Sequence, residues 1–154
     1  SYMASFVYNI WKQKLADGTY RWNANSDGSG GTYELALTEA VLSDPDPDTV
    51  SAALTGGNEY DGSYSRTVVA NLSVVLDDTN NRAKLDADDT TVSSLGADAG
   101  GQKVEGVLLY VKPNGTSADS AYIPAAFFDL ATAFYGNSSN VTFVWDSVGL
   151  VTLT

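Results

Sequence analysis

Carboxylates are the most abundant side chains in this chain that could do chemistry, and five aspartates are concentrated in one short stretch. The chain contains no histidine and no cysteine. This excludes a serine triad, a cysteine dyad and metals held by thiolates or imidazoles. Carboxylate oxygens remain as possible ligands for calcium. The candidate ligands are Asp77, Asp78, Asp86, Asp88 and Asp89.

These aspartates do not have the spacing of a common calcium-binding loop. The glycine and the distal glutamate of an EF-hand loop are both missing. Charge runs of this kind more often form a solvated connector, which is the alternative interpretation. Two carboxylates could also hydrolyse a glycosidic bond, but that requires a separation in space that the sequence does not define. We therefore expect no catalytic residues, no metal and no cofactor.

Aromatic side chains could bind a partner. Tyr60 and Tyr64 lie in a glycine-rich segment, residues 55–65, which also contains Asn58. Tyrosines among small, flexible neighbours are typical of adaptable binding loops. Trp22 borders a second glycine-rich segment and could stack on a sugar or on another protein. The pattern predicts a partner-binding surface formed by these four residues, and the alternative is that the rings pack on the domain itself.

Composition limits both the fold and the partners. With 154 residues, the chain has the size of one domain and can bury a core without disulfides. Its 19 acidic and 8 basic residues give a net charge of -11, which repels the phosphates of nucleic acids and anionic membrane surfaces. No apolar run approaches the roughly 20 residues that span a bilayer. We expect neither nucleic acid nor a membrane as a partner.

The N-terminal region predicts one short helix. Residues 1–2 precede a methionine and resemble a cloning remnant, so a single β-rich domain is predicted for residues 3–154. Ser5 is a suitable N-cap, and apolar residues recur with helical spacing from Phe6 to Leu15. Asp17-Gly18 is a typical end of a helix.

Residues 66–95 contain the most specific pattern. Apolar and polar residues alternate in the first half, which predicts a half-buried strand. A polar turn at residues 77–81 and a second alternating run predict that this strand continues into a hairpin. The residues expected on the core face of the first strand are Val68, Ala70, Leu72, Val74 and Leu76.

The other runs predict further strands. Residues 104–111 are apolar on both faces, which predicts a central strand that is covered on both sides. Residues 141–145 and 148–153 are predicted to form a C-terminal hairpin, whereas residues 129–134 are predicted to be helix or loop. The prolines of residues 43–48 exclude an interior strand. The expected fold is an antiparallel β-sandwich or barrel of about seven or eight strands, with the short N-terminal helix.

Three segments of the chain resemble a family of small virion proteins of tailed bacteriophages. They are MASFVYNIWKQKLADGTYRW near the start, RTVVANLSVVLDDTNNRAKLDADDTTVSSL in the middle and VTFVWDSVGLVTL at the end. The corresponding family patterns are a helix ending in LADG or LLDG, a segment similar to LANxxVxxDDTNDRAxFDADDVTW, and an end similar to WDxxGIVTL. The chain departs from them at Asn81, Leu85 and Thr91-Val92, and these changes preserve the strand pattern.

The resemblance implies a virion structural protein without catalytic residues. We expect a capsid decoration or cement protein that is made in the host cytoplasm, docks on the assembled shell and stabilises it. Its partner would be the major capsid protein or another virion protein, with the loops at residues 23–31 and 55–65 as contact surfaces. A homo-oligomer is expected, with a trimer favoured. The alternative is a tail- or fibre-associated module that binds a receptor or a glycan.

Overall fold

The computed structural model describes residues 1–154 and confirms the mainly β fold. Strands contain 38% of the residues and helices 8%, and the antiparallel sheets form a sandwich-like arrangement. The strands are more numerous than the seven or eight that the sequence predicts. The elements are β1 (Phe6–Val7), α1 (Asn9–Ala16), β2 (Thr32–Thr38), α2 (Val50–Ala53), β3 (Thr67–Val68), β4 (Ser73–Asp77), β5 (Arg82–Asp86), β6 (Thr90–Leu95), β7 (Val104–Lys112), β8 (Ile123–Phe134), β9 (Ser139–Phe143) and β10 (Val151–Leu153).

A five-stranded sheet forms the centre of the molecule, in the order β1-β8-β7-β2-β3. Successive residues of β7 point to opposite faces: Leu109 joins a cluster of 22 buried residues and Leu108 a cluster of eight. Helix α1 and the two smaller sheets contribute to the larger cluster, and α2 contributes to the smaller one. Strand β7 is therefore covered on both sides, as its apolar run predicts.

The two smaller sheets lie over one face of the five-stranded sheet. One has the order β10-β5-β4 and the other pairs β6 with β9. Strands β4 and β5 form the predicted hairpin. The predicted C-terminal hairpin is wrong, because β9 pairs with β6 and β10 pairs with β5.

The N-terminal helix is shorter than predicted. It begins at Asn9, because Phe6–Val7 pair with β8 as strand β1. The Ser5 hydroxyl accepts a hydrogen bond from the backbone N–H of Asp129 instead of capping the helix. The helix ends before Asp17-Gly18, as predicted, and Gly18 has a φ of 78°.

Tyr2 takes part in the fold, although the sequence predicted that residues 1–2 lie outside it. Its N–H donates to the carbonyl of Val144, and its own carbonyl accepts from the N–H of Asp146, each at 2.8 Å. The N-terminal residues are thus held beside the end of β9.

Strand β8 continues through residues 129–134, where a helix or loop was predicted. Ala131 adopts a φ of 60°, and its N–H donates to the Asp129 carboxylate. The pairing of β8 with β7 shifts register between Val104 and Gly106. This irregularity allows the strand to continue without the alternation that sequence patterns detect.

The predicted core face of residues 68–76 is wrong. Asn71 has a φ of 55°, which breaks the strand into β3, paired with β2, and β4, paired with β5. Val69, between them, is the buried residue, with 2% of its surface exposed. Leu72 is half-buried, while Val68, Ala70, Val74 and Leu76 are exposed.

Candidate docking surface

Trp22 is a core residue, which corrects its predicted role as a stacking surface. Only 6% of its surface is exposed. Its ring packs against Trp11 and Tyr33, with centroids 6.1 and 4.7 Å away. Its indole Nε1 donates to the carbonyl of Asp86 at 2.9 Å, which links the segment after α1 to β5. The ring therefore joins the layers of the fold.

Tyr60 is also buried and is not available as a contact residue. Its hydroxyl donates to the carbonyl of Gly96 at 2.9 Å and accepts from the N–H of Asp98 at 3.0 Å. The close approach needs glycine at position 62, because a Cβ there would overlap the Tyr60 ring. The glycine-rich segment thus closes over its own tyrosine.

Tyr64 is held by hydrogen bonds on both sides of its hydroxyl. The hydroxyl donates to Glu59 at 2.7 Å and accepts from the N–H of Leu37 at 2.9 Å. Burial raises the pKa of Tyr64, and the negative charge of Glu59 raises it further. Asn58 is half-buried, and its main-chain carbonyl accepts from the N–H of Glu39. The four predicted contact residues therefore do not form an exposed aromatic surface.

Arg66 fixes the end of the same segment. Its guanidinium donates two hydrogen bonds to Glu59 and two to Asp119, at 2.6–2.9 Å. It also lies over the ring of Tyr110, 5.3 Å from the centroid. Burial opposes the charged form, but the hydrogen bonds with both carboxylates more than offset it and raise the pKa of Arg66. The side chain joins the segment of residues 59–66 to Tyr110 and Asp119, which are distant from it in sequence.

The loop at residues 23–31 is organised around one carboxylate. Asp27 accepts hydrogen bonds from the N–H groups of Ser29, Gly31 and Asn114 at 2.7–2.8 Å. Although burial opposes ionisation, these backbone hydrogen bonds lower the pKa of Asp27. The loop is therefore tied to the turn that follows β7.

The aspartates proposed as calcium ligands have separate structural roles. Asp77 accepts from the side chains of Asn80 and Arg82, and these hydrogen bonds lower its pKa. Asp88 accepts from the side chain of Asn71, beside the break between β3 and β4.

The remaining members of that set also act locally. Asp86 accepts from the N–H of Ala87, Asp89 accepts from the N–H of Trp145 at 3.0 Å, and Asp78 is exposed in the turn. No three of the five aspartates bring their oxygens together. The structure thus does not assemble the predicted ligand set.

A different group of carboxylates does converge. Oxygens of Glu39, Asp61 and Asp98 lie within 4.8 Å of one another. Glu39 Oε2 is buried without a hydrogen-bond partner. Burial raises the pKa of Glu39, and the charges of Asp61 and Asp98 raise it further. Such oxygens are suitable ligands for a divalent cation. No local pattern predicts this group, because the three residues are far apart in the sequence.

The three-stranded sheet has an apolar face that the molecule only partly covers. Cross-strand pairing places Val74 beside Leu85, which in turn lies beside Val151. Two residues further along each strand, a second apolar row on the same face is formed by Leu76, Ala83 and Leu153. Leu85 and Val151 are buried, whereas Leu76 is 75% exposed, Val74 55% and Leu153 47%. The sheet therefore extends beyond the core that it covers.

Two shallow grooves separate this apolar face from helix α1. One has a volume of about 420 Å³ and runs between Trp11, Leu15 and strand β10. The other, of about 490 Å³, lies between Leu15, Trp22 and Val74. Leu153 lines both, so the grooves are continuous with the exposed row. The arrangement offers an apolar docking surface rather than an assembled set of reactive groups.

No family model, curated protein or solved structure matches this chain. The helices are also too short to cross a membrane. The function must therefore be inferred from the resemblance and from the geometry of the surface.

Proposed function

We propose that the protein is a non-enzymatic structural component of a bacteriophage virion, a decoration protein that docks on the assembled capsid shell. The observation that carries the proposal is the exposed apolar face of the three-stranded sheet, on Val74, Leu76 and Leu153. Strands β4 and β5 of this sheet lie within residues 66–95, the segment with the most specific resemblance to phage virion proteins.

The surface is suited to a stable contact. Exposed apolar residues that cluster beside a groove are typical of interaction sites, whereas single ones are common on any surface. Here the cluster contrasts with the rest of a chain that carries a net charge of -11. The charge would keep the protein away from the packaged genome, and the apolar face would provide the contact energy.

Shell stabilisation then follows from mass action. A ligand that binds the assembled lattice, but not the dissociated shell proteins, shifts the equilibrium towards the lattice. The partner would be the major capsid protein or another protein of the shell. No reaction and no cofactor is needed for this role.

The alternative function, a tail- or fibre-associated receptor or glycan binder, relied on exposed aromatic residues. Trp22 and Tyr60 are buried, and the Tyr64 hydroxyl is hydrogen-bonded to the Glu59 carboxylate and the N–H of Leu37. Stacking on a sugar requires an accessible aromatic face. The burial of these rings removes the observation that favoured the alternative.

Co-sedimentation with empty capsid shells tests the proposal. We expect the wild-type protein to sediment with shells, and the double variant Leu76→Ser with Leu153→Ser to remain in solution while keeping its fold. Val41→Ser is the control, because the 53% exposure of Val41 lies between those of Leu153 and Leu76, and Val41 lies in the loop after β2. Equal binding of the double variant and the wild type would contradict docking through this face.

Particles that lack the protein provide a second readout. They should lose resistance to heat or dilution and still adsorb to host cells. Loss of adsorption with unchanged physical stability would instead support a role in the tail.

A further inference from the structure

We propose that a second copy of the chain pairs with the free edge of β4, in a two-fold arrangement centred on Val75. The pairing joins two three-stranded sheets into one sheet of six strands. It does not depend on docking to a capsid: the outward N–H and C=O groups of β4 make the contact, and the apolar side chains of Val74 and Leu76 add to it.

Strand β4 is an open edge. It is the last strand in the order β10-β5-β4, and it pairs only with β5. Outside that pairing, no hydrogen bond within the chain involves the backbone of residues 73–76. The outward N–H and C=O groups are therefore free to pair with another strand.

This edge lacks the usual protection against pairing. Short edge strands, prolines, lysines and bulges normally prevent such contacts. The edges of the five-stranded sheet, β1 and β3, have only two residues each. Strand β4 has five residues, SVVLD, with no proline or lysine and a regular register against β5. Its sequence and geometry favour an additional strand.

The sequence of β4 is self-complementary in an antiparallel register. With the two-fold axis at Val75, each Val75 faces its counterpart, and Val74 faces Leu76 of the partner subunit. Both of these latter residues lie on the apolar face, so the pairing buries apolar side chains on the same side of the joined sheet. Ser73 faces Asp77 of the partner subunit, so no like charges are opposed.

The outer face of β4 is also compatible with this register. Val75 lies beside Lys84 on that face, and Asp77 is neutralised by Arg82 at 2.7 Å. An isologous contact of this kind closes as a dimer. Two copies are therefore favoured over the expected trimer.

The dependence of dimerisation on salt distinguishes a second copy from a basic partner. Each copy carries a net charge of -11, so long-range repulsion opposes pairing and salt screens it. Dimerisation should therefore strengthen as ionic strength rises. Binding to a basic partner would weaken instead.

A charge-exchange experiment tests both the contact and its register. The molecular mass of the wild-type protein, measured by sedimentation equilibrium, should double as concentration increases. Val75→Lys and Val75→Glu should each remain monomeric, because the axis opposes like charges. An equimolar mixture of the two variants should recover the dimer. Recovery also shows that both variants are folded.

Val41→Lys is the control, because it introduces the same charge at an exposed position outside β4 and should leave the dimer intact. A mixture that stays monomeric would overturn the two-fold register at Val75. A wild-type protein that is monomeric at every concentration, or trimeric, would overturn the pairing itself. Protection of the β4 amides only after empty shells are added would assign the edge to a shell protein and equally overturn it.

Discussion

The five-stranded and three-stranded sheets differ in how completely they are covered. In the first, β7 lies between β2 and β8, and packed side chains cover both of its faces. In the second, only part of one face is covered, and β4 leaves an edge and an apolar row exposed. The five-stranded sheet therefore holds the fold together, whereas the three-stranded sheet is available for assembly.

The difference shows that alternation alone does not determine burial. Leu109 in β7 and Leu76 in β4 are both strand leucines, yet Leu109 is fully buried and Leu76 is 75% exposed. What differs is the layer that packs against each strand. Stability should therefore be sensitive to changes in the first sheet, and association to changes in the second.

The largest expected effect concerns a buried charge. Val69→Lys should destabilise the fold by several kcal/mol, because Val69 is only 2% exposed and an ammonium buried there loses its hydration. Leu76→Lys, at an exposed position, should change the free energy of unfolding by less than about 0.5 kcal/mol. Urea denaturation of both variants measures the difference. Similar losses would show that the core beside β3, where Val69 lies, and the exposed row of β4 are not covered differently.

A smaller effect is expected from crowding the five-stranded sheet. Gly106 lies where a Cβ would overlap the ring of Phe127 and approach the hydroxyl of Thr38 at 2.9 Å. Gly106→Ala should therefore cost about 1–3 kcal/mol through overpacking. Ser73→Ala, in exposed β4, is the control and should be nearly neutral. A neutral Gly106→Ala would indicate that the sheet has room for a methyl group beside Phe127.

Replacement of Arg66 tests how the covered region is joined to its loops. Arg66→Lys should cost about 1 kcal/mol, because an ammonium cannot reproduce the paired hydrogen bonds to Glu59 and Asp119, and partial exposure limits the loss. Arg21→Lys, at an exposed position, should have no measurable effect. Urea unfolding at low and high salt measures the cost, which would be absent in both variants if the network were only superficial.

The smallest effect has a predicted sign. The raised pKa of Glu39 means that the folded state binds a proton more tightly than the unfolded state. Ionisation of Glu39 therefore costs stability at neutral pH, and the cost disappears as pH falls below the unfolded pKa. Glu39→Gln should raise the thermal midpoint at neutral pH, with a smaller gain in acid.

Chelation distinguishes the other possible use of this carboxylate. We expect EDTA to leave the thermal midpoint of the wild-type protein unchanged. A lower midpoint with EDTA, together with destabilisation by Glu39→Gln, would show that Glu39, Asp61 and Asp98 bind a structural cation.

Local patterns predicted the strands whose burial follows from their own sequence. Strand β7, predicted from the apolar run at residues 104–111, is one example. The hairpin of β4 and β5 was also predicted, from its polar turn. Long-range pairing was not predictable: β9 and β10 join different sheets because β6 and β5, distant in sequence, provide the partners. The left-handed conformation of Asn71 had no clear signal, and it displaced the core face to Val69.

The candidate site was not predictable from the sequence either, because it also depends on contacts between distant parts of the chain. Trp22 and Tyr60 resemble contact residues in sequence. Both are buried, and their side chains donate hydrogen bonds to the carbonyls of Asp86 and Gly96, which are distant from them in the chain. Conversely, Val74 and Leu76 resemble core residues and become a surface because no layer covers them. Sequence patterns identify an apolar face, whereas tertiary packing decides whether it is buried.

Hydrogen–deuterium exchange as a function of protein concentration tests the central comparison most directly. The amides of β7 should be strongly protected at every concentration, because the strand is paired on both sides. The outward amides of β4 should exchange rapidly in dilute protein and slow as concentration rises and copies pair. Equal protection of β4 and β7 in dilute protein would contradict the description of β4 as an open edge.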